Sequence, residues 1–296
     1  MKLFNTLDMD AVRTSWKQKD NYDLSYYGGK EPAFTPAVQG QVTGMNPNSG
    51  IEHYSGLHNV LGVWEFTGWM DECNAISKTG YIGDWSWLNK YRITGPDVIK
   101  CMEQGTINGY KKFPVGKGRH IVSVLPNGKM MGDGIAFREA EDQILLTGGA
   151  MIAPGLMIRP EGCDVTVEDL TGEIFNFHVQ GPISTAVIEK VTGESVGDLA
   201  FISFRDVMIV GKKVRLYRGG MYGEVGYELF GDSADGSVIW NAVVEAGKEF
   251  GLRQLGQRSL MLNHLQAFFP TIWVDFIPAI VSGAEALHRS PVDYGW

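Results

Sequence analysis

Cysteine is scarce. The three present in 296 residues, Cys73, Cys101 and Cys163, are far apart, odd in number and without metal-ligand spacing. That pattern argues against a disulfide scaffold and a thiolate metal cluster, and fits reduced thiols in a cytoplasmic protein. Positive charge is also in deficit: 26 Lys and Arg against 34 Asp and Glu leave a net charge of -8. With no basic stripe, a general nucleic-acid surface is not expected, because neutralising phosphates needs clustered Lys and Arg. No apolar run approaches the length of a membrane span. The opening Met1-Lys2-Leu3-Phe4-Asn5 has no leader-like apolar stretch. A dinucleotide fingerprint in a βαβ context, a P-loop, a zinc-protease motif and a nucleophile elbow are all missing. These absences leave a small-molecule partner, with no metal, nucleic acid or membrane.

Glycine is what is there, and four of the 38 punctuate one stretch, Arg218 to Phe230: Gly219, Gly220, Gly223 and Gly226. Such residues take positive φ or let a ligand approach the backbone closely. Glu224 sits between two of them, and Tyr227 and Leu229 then alternate as a strand would. By itself this is a glycine-rich hairpin with a solvated glutamate. Around it, a helix is expected at Asp8 to Lys19, then a loop-rich stretch from Tyr22 to Ser55. A helix is expected at Trp64 to Ser77, a strand at Lys90 to Gly95 and a short helix at Val98 to Gln104. His120 to Leu125 and Lys129 to Ala136 flank the hairpin turn Pro126-Asn127-Gly128. Strands follow at Gln143 to Thr147 and Glu173 to Val179, and a helix at Thr185 to Val191. Phe201 to Phe204 and Val207 to Val210 are expected to bracket a turn. Val214 to Arg218 is a strand, and Ser237 to Phe250 a periodic helix capped by Gly251. The order β-α-β-β-α-β occurs roughly twice, which predicts an α+β protein of split βαβ, ferredoxin-like units.

Four segments in order resemble one family. Pro126 to Ile135, with Gly132-Asp133-Gly134, resembles its hairpin, which closes on an Asp-Asp pair. Val179-Gln180-Gly181-Pro182 resembles its Q-G-P strand-to-helix turn. Gly220 to Glu228 resembles its G-Y-T-G-E-x-G-Y-E loop, and Gly251-Leu252 through Arg258 its G-L-x-x-x-G-x-R turn. The family is the tetrahydrofolate-dependent aminomethyltransferases: the glycine-cleavage T proteins and the folate-dependent demethylases of the same fold. The resemblance covers residues 60 to 296 and implies domains arranged around a central folate funnel. It implies an N-terminal arm over residues 1–60, an α+β domain over 61–165 with the Gly-Asp-Gly hairpin, and the rest of the first domain over 166–296. It further implies a last, barrel-like domain after Trp296, from a longer chain or a partner chain. Glu224 then receives the pterin amino groups, since a carboxylate fork matches N–H donors. Arg258 meets the folate's glutamate tail, and Gln180 and Tyr227 complete the cofactor set.

The chain departs from the pattern at two places. Aligned through Gly128, Gly132 takes the position of the first, catalytic aspartate and Asp133 that of the second. The resemblance therefore implies the O-demethylase branch, with tetrahydrofolate as methyl acceptor and a methoxylated aromatic as small-molecule donor. An acid must protonate the leaving phenolate; the candidates are Asp133, His120 and Tyr222, histidine being the side chain that ordinarily exchanges protons near neutral pH. Where T proteins read Asp-Val-Ser-His, this chain reads Asp84-Trp85-Ser86-Trp87. Trp85 and Trp87 are expected to stack on a flat substrate or cage an onium centre, and Asp84 either carries over the family acid or caps the turn. The alternatives are a glycine-cleavage aminomethyltransferase, a sulfonium or quaternary ammonium demethylase, and a non-catalytic folate-binding subunit.

Overall fold

The computed structural model describes residues 33–34, 51–54, 60–63, 66–220, 225–267, 269–272, 275–281 and 283–295. In chain order they form β1 (Ala33–Phe34), β2 (Ile51–Tyr54), β3 (Val60–Val63), α1 (Trp69–Lys78), β4 (Tyr81–Asp84), β5 (Asn89–Thr94), α2 (Val98–Gly105), β6 (Gly118–Val124), β7 (Met130–Ala140) and β8 (Gln143–Gly148). There follow β9 (Thr166–Asp169), β10 (Ile174–Gln180), α3 (Ser184–Thr192), β11 (Phe204–Ile209), β12 (Lys212–Tyr217), β13 (Gly226–Asp232), α4 (Gly236–Gly247), β14 (Arg253–Leu255) and α5 (Gln257–Gln266). The expected helix over 8–19 and most of the stretch over 22–55 lie outside the described residues. No helix among the described residues is long and apolar enough to cross a membrane.

The chain divides into two compact units, Met1–Trp87 with Glu173–Phe201 and Arg205–Ala267, and Leu88–Gly172 with Ile202–Phe204 and Phe268–Trp296. The first contains a six-stranded sheet in the order β11-β12-β13-β10-β4-β14, antiparallel except for the β4–β14 pair. Side chains alternate across a strand, and β10 shows why this sheet has two different faces. Phe175, Phe177 and Val179 join Ile82, Leu216, Tyr227 and Leu229 in the core beneath α3 and α4, with Trp240 and Val243 from α4. Asn176, His178 and Gln180 point the other way and are also buried. Burying each of those large apolar side chains stabilises by roughly 2 kcal/mol. The polar face must instead satisfy its hydrogen bonds.

The second unit is a five-stranded sheet, β6-β7-β8-β5-β9, whose apolar face packs Ile93, Ile121, Ala136, Ile144 and Leu146 under α2. The α+β class holds in both units. The repeated pattern is incomplete in the second, where among the described residues the second helix is only a 3₁₀ turn, Ala150–Ile152.

Of the boundaries that differ from expectation, two have a local cause in the backbone. The helix placed at Trp64 starts at Trp69. Gly68 sits at φ 101, and the Phe66 and Thr67 amides turn back onto the Glu72 carboxylate (2.6 and 3.0 Å). The turn expected between Phe204 and Val207 comes later: β11 runs unbroken from Phe204 to Ile209, and Val210 and Gly211, at φ 45 and 77, make the turn to β12.

Candidate functional site

The Q-G-P segment ends β10 and starts the turn into α3. Gly181 is required there: at φ 109, a Cβ would stand 2.6 Å from Gly80 Cα and 2.9 Å from the Thr79 carbonyl. Its amide, with the Ser184 hydroxyl, holds the Val225 carbonyl at 3.1 and 2.9 Å. This fastens one end of the glycine-rich stretch. At the other end Gly219 packs so closely on Tyr217 that a Cβ would lie 2.1 Å from the ring. Tyr222 and Glu224 lie outside the described residues.

The polar face of the same sheet is a hydrogen-bonded cluster around Tyr81. Its hydroxyl accepts from Asn263 Nδ2 of α5 at 2.9 Å, and His178 Nδ1 and Gln180 Oε1 lie at 3.3 and 3.4 Å. The His178 ring meets Tyr81 edge-on, with centroids 5.8 Å apart. Asn176 Nδ2 donates to Glu228 at 3.3 Å. Burial depresses His178 to about 4, with His264 lowering it further against a bond to the Gly219 backbone, so the imidazole is neutral. Burial likewise pushes the Tyr81 and Tyr217 phenols up, and the Glu228 carboxylate adds to both. Three buried amide atoms on this face, Gln180 Nε2, Asn263 Oδ1 and Asn176 Oδ1, have no hydrogen-bond partner among the described residues. Such atoms require water or a polar ligand. A donor and two acceptors suit the mixed donor–acceptor edge of a pterin, so the residues present fit that group.

The remaining expected residues divide. Tyr227 is corrected: 1 % exposed, it lies in the core on the helix side, and its hydroxyl pairs with Thr185 at 3.1 Å. It pairs with Val179 across the ladder and so shares the apolar face. Trp85 and Trp87 are also corrected as an open platform. They are 7 % and 8 % exposed, with rings 5.4 Å apart, and Trp85 packs 5.3 Å from His264. Asp84 caps the turn, its Oδ1 accepting from the Ser86 amide at 2.8 Å. Arg258 lays its guanidinium 4.9 Å from the Trp69 ring centre; stacking engages the face of a guanidinium, whereas a carboxylate reads its edge.

In the second unit His120 and Asp133 do meet, with Nε2 2.9 Å from Oδ2 and Phe269 edge-on at 5.6 Å. They stand diagonally across β6 and β7 on the face opposite the apolar core. The flanking glycines have a packing reason. A Cβ on Gly132 would lie 2.5 Å from Met151 Cβ, and one on Gly134 2.7 Å from the Thr147 carbonyl. Together they let the 3₁₀ turn at Ala150–Ile152 sit against the strands. Gly132→Asp should therefore destabilise by about 3 kcal/mol, the upper range for overpacking. Urea unfolding measures this; wild-type stability in the variant would mean Met151 yields freely. Among the described residues, no group of three His, Cys, Asp or Glu side chains could hold a metal ion.

Tyr81, His178, Asn263 and His264 were not among the sequence candidates. The polar alternation Asn176, His178, Gln180, opposed to Phe175, Phe177 and Val179, is the signal that could have revealed the first face. Nothing in the spacing pointed to α5.

The family model for the GCVT N-terminal domain matches residues 51–283. A sesamin methylene transferase from Sinomonas sp. (strain No.22) is 35% identical over 215 residues, covering 70% of this chain and 46% of its own length. A syringate O-demethylase from Sphingobium sp. (strain NBRC 103272 / SYK-6) is 32% identical over 216 residues, 69% of this chain and 46% of that protein. The chain thus spans about half the length of these curated relatives. Among solved structures, the glycine cleavage system aminomethyltransferase T from Bartonella henselae superposes with TM-score 0.65 at 16% identity, over 79% of this chain and 62% of that one, which shows the same fold. With the domain model matched across most of the sequence and the Q-G-P turn and Gly-Asp-Gly hairpin in place, the chain belongs to the tetrahydrofolate-dependent aminomethyltransferase family.

Proposed function

We propose that this protein demethylates a methoxylated aromatic compound, with tetrahydrofolate as the acceptor and 5-methyltetrahydrofolate as the product. The observation that carries the reading is Gly132 itself, at the position where the resemblance places the first aspartate of the glycine-cleavage proteins, with Met151 packed where its Cβ would be. Support also comes from two of the relatives above 30% identity, one named a syringate O-demethylase and one a sesamin methylene transferase. Bound tetrahydrofolate would supply N5 as the nucleophile for the one-carbon unit, with the phenolate as leaving group.

The chain's own residues bind, orient and move a proton. Glu224 receives the pterin amino groups and Gln180 Nε2 a pterin acceptor. Arg258 meets the glutamate tail with its in-plane donors. The leaving phenolate oxygen takes its proton from His120, which Asp133 orients through their 2.9 Å bond; Tyr222 is the other candidate donor. Positioning contributes much of the rate, since a methyl ether is a poor electrophile. A methylene transfer is the second reading, favoured by the 35% identical relative.

Product analysis separates the readings. 5-Methyltetrahydrofolate with a phenol is expected from a methoxybenzoate. Methylene-tetrahydrofolate with a catechol, from a methylenedioxy donor, would favour the second reading. Methylene-tetrahydrofolate with ammonia, from an aminomethylated lipoyl carrier, would overturn both. Glu224→Gln should weaken tetrahydrofolate binding at least about 30-fold, the worth of a charge-assisted fork; unchanged affinity by calorimetry would remove Glu224 from the site.

A further inference from the structure

A glutamine reads a ligand through whichever end of its amide faces it. The oxygen accepts, the nitrogen donates, and the two are nearly the same size, so neighbours must decide the orientation. Gln180 stands directly across the ladder from Tyr81 of β4 on one side and from Gly226 of β13 on the other. A Cβ on Gly226 would lie 3.2 Å from Gln180 Cγ, so the stem of the side chain is closely held and the terminal amide is what remains to be aimed. Its Oε1 lies 3.4 Å from the Tyr81 hydroxyl, while the buried Nε2 has no hydrogen-bond partner among the described residues.

A phenolic hydroxyl has one proton to give and an oxygen that accepts. An amide oxygen can only accept, so Tyr81 gives its proton to Gln180 Oε1. Asn263 Nδ2 donates to the Tyr81 oxygen at 2.9 Å. His178 Nδ1, 3.3 Å away, then donates as well, which places the imidazole proton on Nδ1. The amide and that proton are linked: turning Gln180 would bring another N–H onto the Tyr81 oxygen and require His178 to give up the proton on Nδ1. All four side chains are buried, where a lost partner is costly.

We infer that Tyr81 is a positioning residue: held by Asn263 and His178, it fixes the Gln180 amide with its nitrogen left for the ligand, so that the site reads a hydrogen-bond acceptor at that point. Assigning the acceptor to a pterin rests on the tetrahydrofolate reading above. The orientation of the amide does not.

Two measurements test it. In ligand-free wild type at pH 7, where His178 is neutral, long-range proton–nitrogen spectra should find its proton on Nδ1. Tyr81→Phe and Gln180→Met, which nearly conserve volume, then form a double-mutant cycle on tetrahydrofolate affinity, read by calorimetry. Each single change should raise the dissociation constant about 10-fold, the worth of one hydrogen bond. Added to Gln180→Met, Tyr81→Phe should cost less than about 3-fold, because the amide it aims is gone. A tyrosine that merely fills the core would cost the same in both backgrounds. A His178 proton on Nε2, or single effects that multiply to about 100-fold, overturns the inference. A Gln180→Met variant that binds like wild type removes Gln180 from the site, and the inference with it. If the proton is on Nδ1 but wild type does not bind tetrahydrofolate, the orientation stands and the folate reading falls. If tetrahydrofolate binds but the proton is on Nε2 or the effects multiply, the reverse is concluded.

Discussion

Glu72→Ala is expected to destabilise the first unit by about 4 kcal/mol, because removing a buried acceptor strands each of its donors at about 1–3 kcal/mol. Glu72 is fully buried on α1. One carboxylate oxygen accepts the Phe66 and Thr67 amides. The other accepts the Gly256 amide at 2.9 Å and the Ser259 hydroxyl at 2.8 Å. Those last two groups open α5, the helix that carries Asn263 and His264. Glu72 therefore ties the start of one helix to the start of another, far apart in sequence. Glu72→Gln should cost roughly half as much, since one amide oxygen still accepts while the NH₂ faces other donors. Denaturant midpoints at constant m-value measure both. A loss below about 1 kcal/mol for alanine would mean that water replaces the carboxylate at little cost.

Acid should destabilise the first unit between pH 6.5 and about 4 through His178. Its folded value of about 4 lies below the ordinary 6.5. In that window the unfolded chain binds a proton that the folded chain refuses, so stability rises with pH. The contribution is fully present above 6.5 and is lost as pH falls towards 4. A depression of that size is worth about 3 kcal/mol. Tyr81, Glu228 and His264 are the titratable neighbours on this face. Urea unfolding at pH 7 and pH 4.5 should show the loss in wild type and a flatter profile in His178→Gln; equal slopes would place the acid sensitivity elsewhere.

The legible part of the site was what local backbone chemistry writes into sequence. The Q-G-P turn needs a glycine at φ 109 against Gly80, and Gly132 and Gly134 need to lack a Cβ. The hairpin at Asn127-Gly128 formed as its dipeptide implies, with Gly128 at φ 75. His120 and Asp133, 13 residues apart, met because a two-stranded register is nearly determined once its turn is known.

The misreadings arose where the partner was remote. Tyr227 belongs to a glycine-rich motif, but its face of β13 was decided by pairing with β10 and by α3 above it. Trp85 and Trp87 were expected to stack on a flat substrate or cage an onium centre, but both are buried, packed on each other and, at Trp85, on His264 from far along the chain. Sequence by itself determined the α+β class, the Q-G-P and Asn127-Gly128 turns, the glycine positions and the family, because each depends on neighbours within a few residues or on motifs in order. Only the tertiary structure decided that Asn176, His178 and Gln180 form a buried polar face around Tyr81 and Asn263. A strand's period separates its two faces, and burial of both is set by what packs on them from elsewhere in the chain.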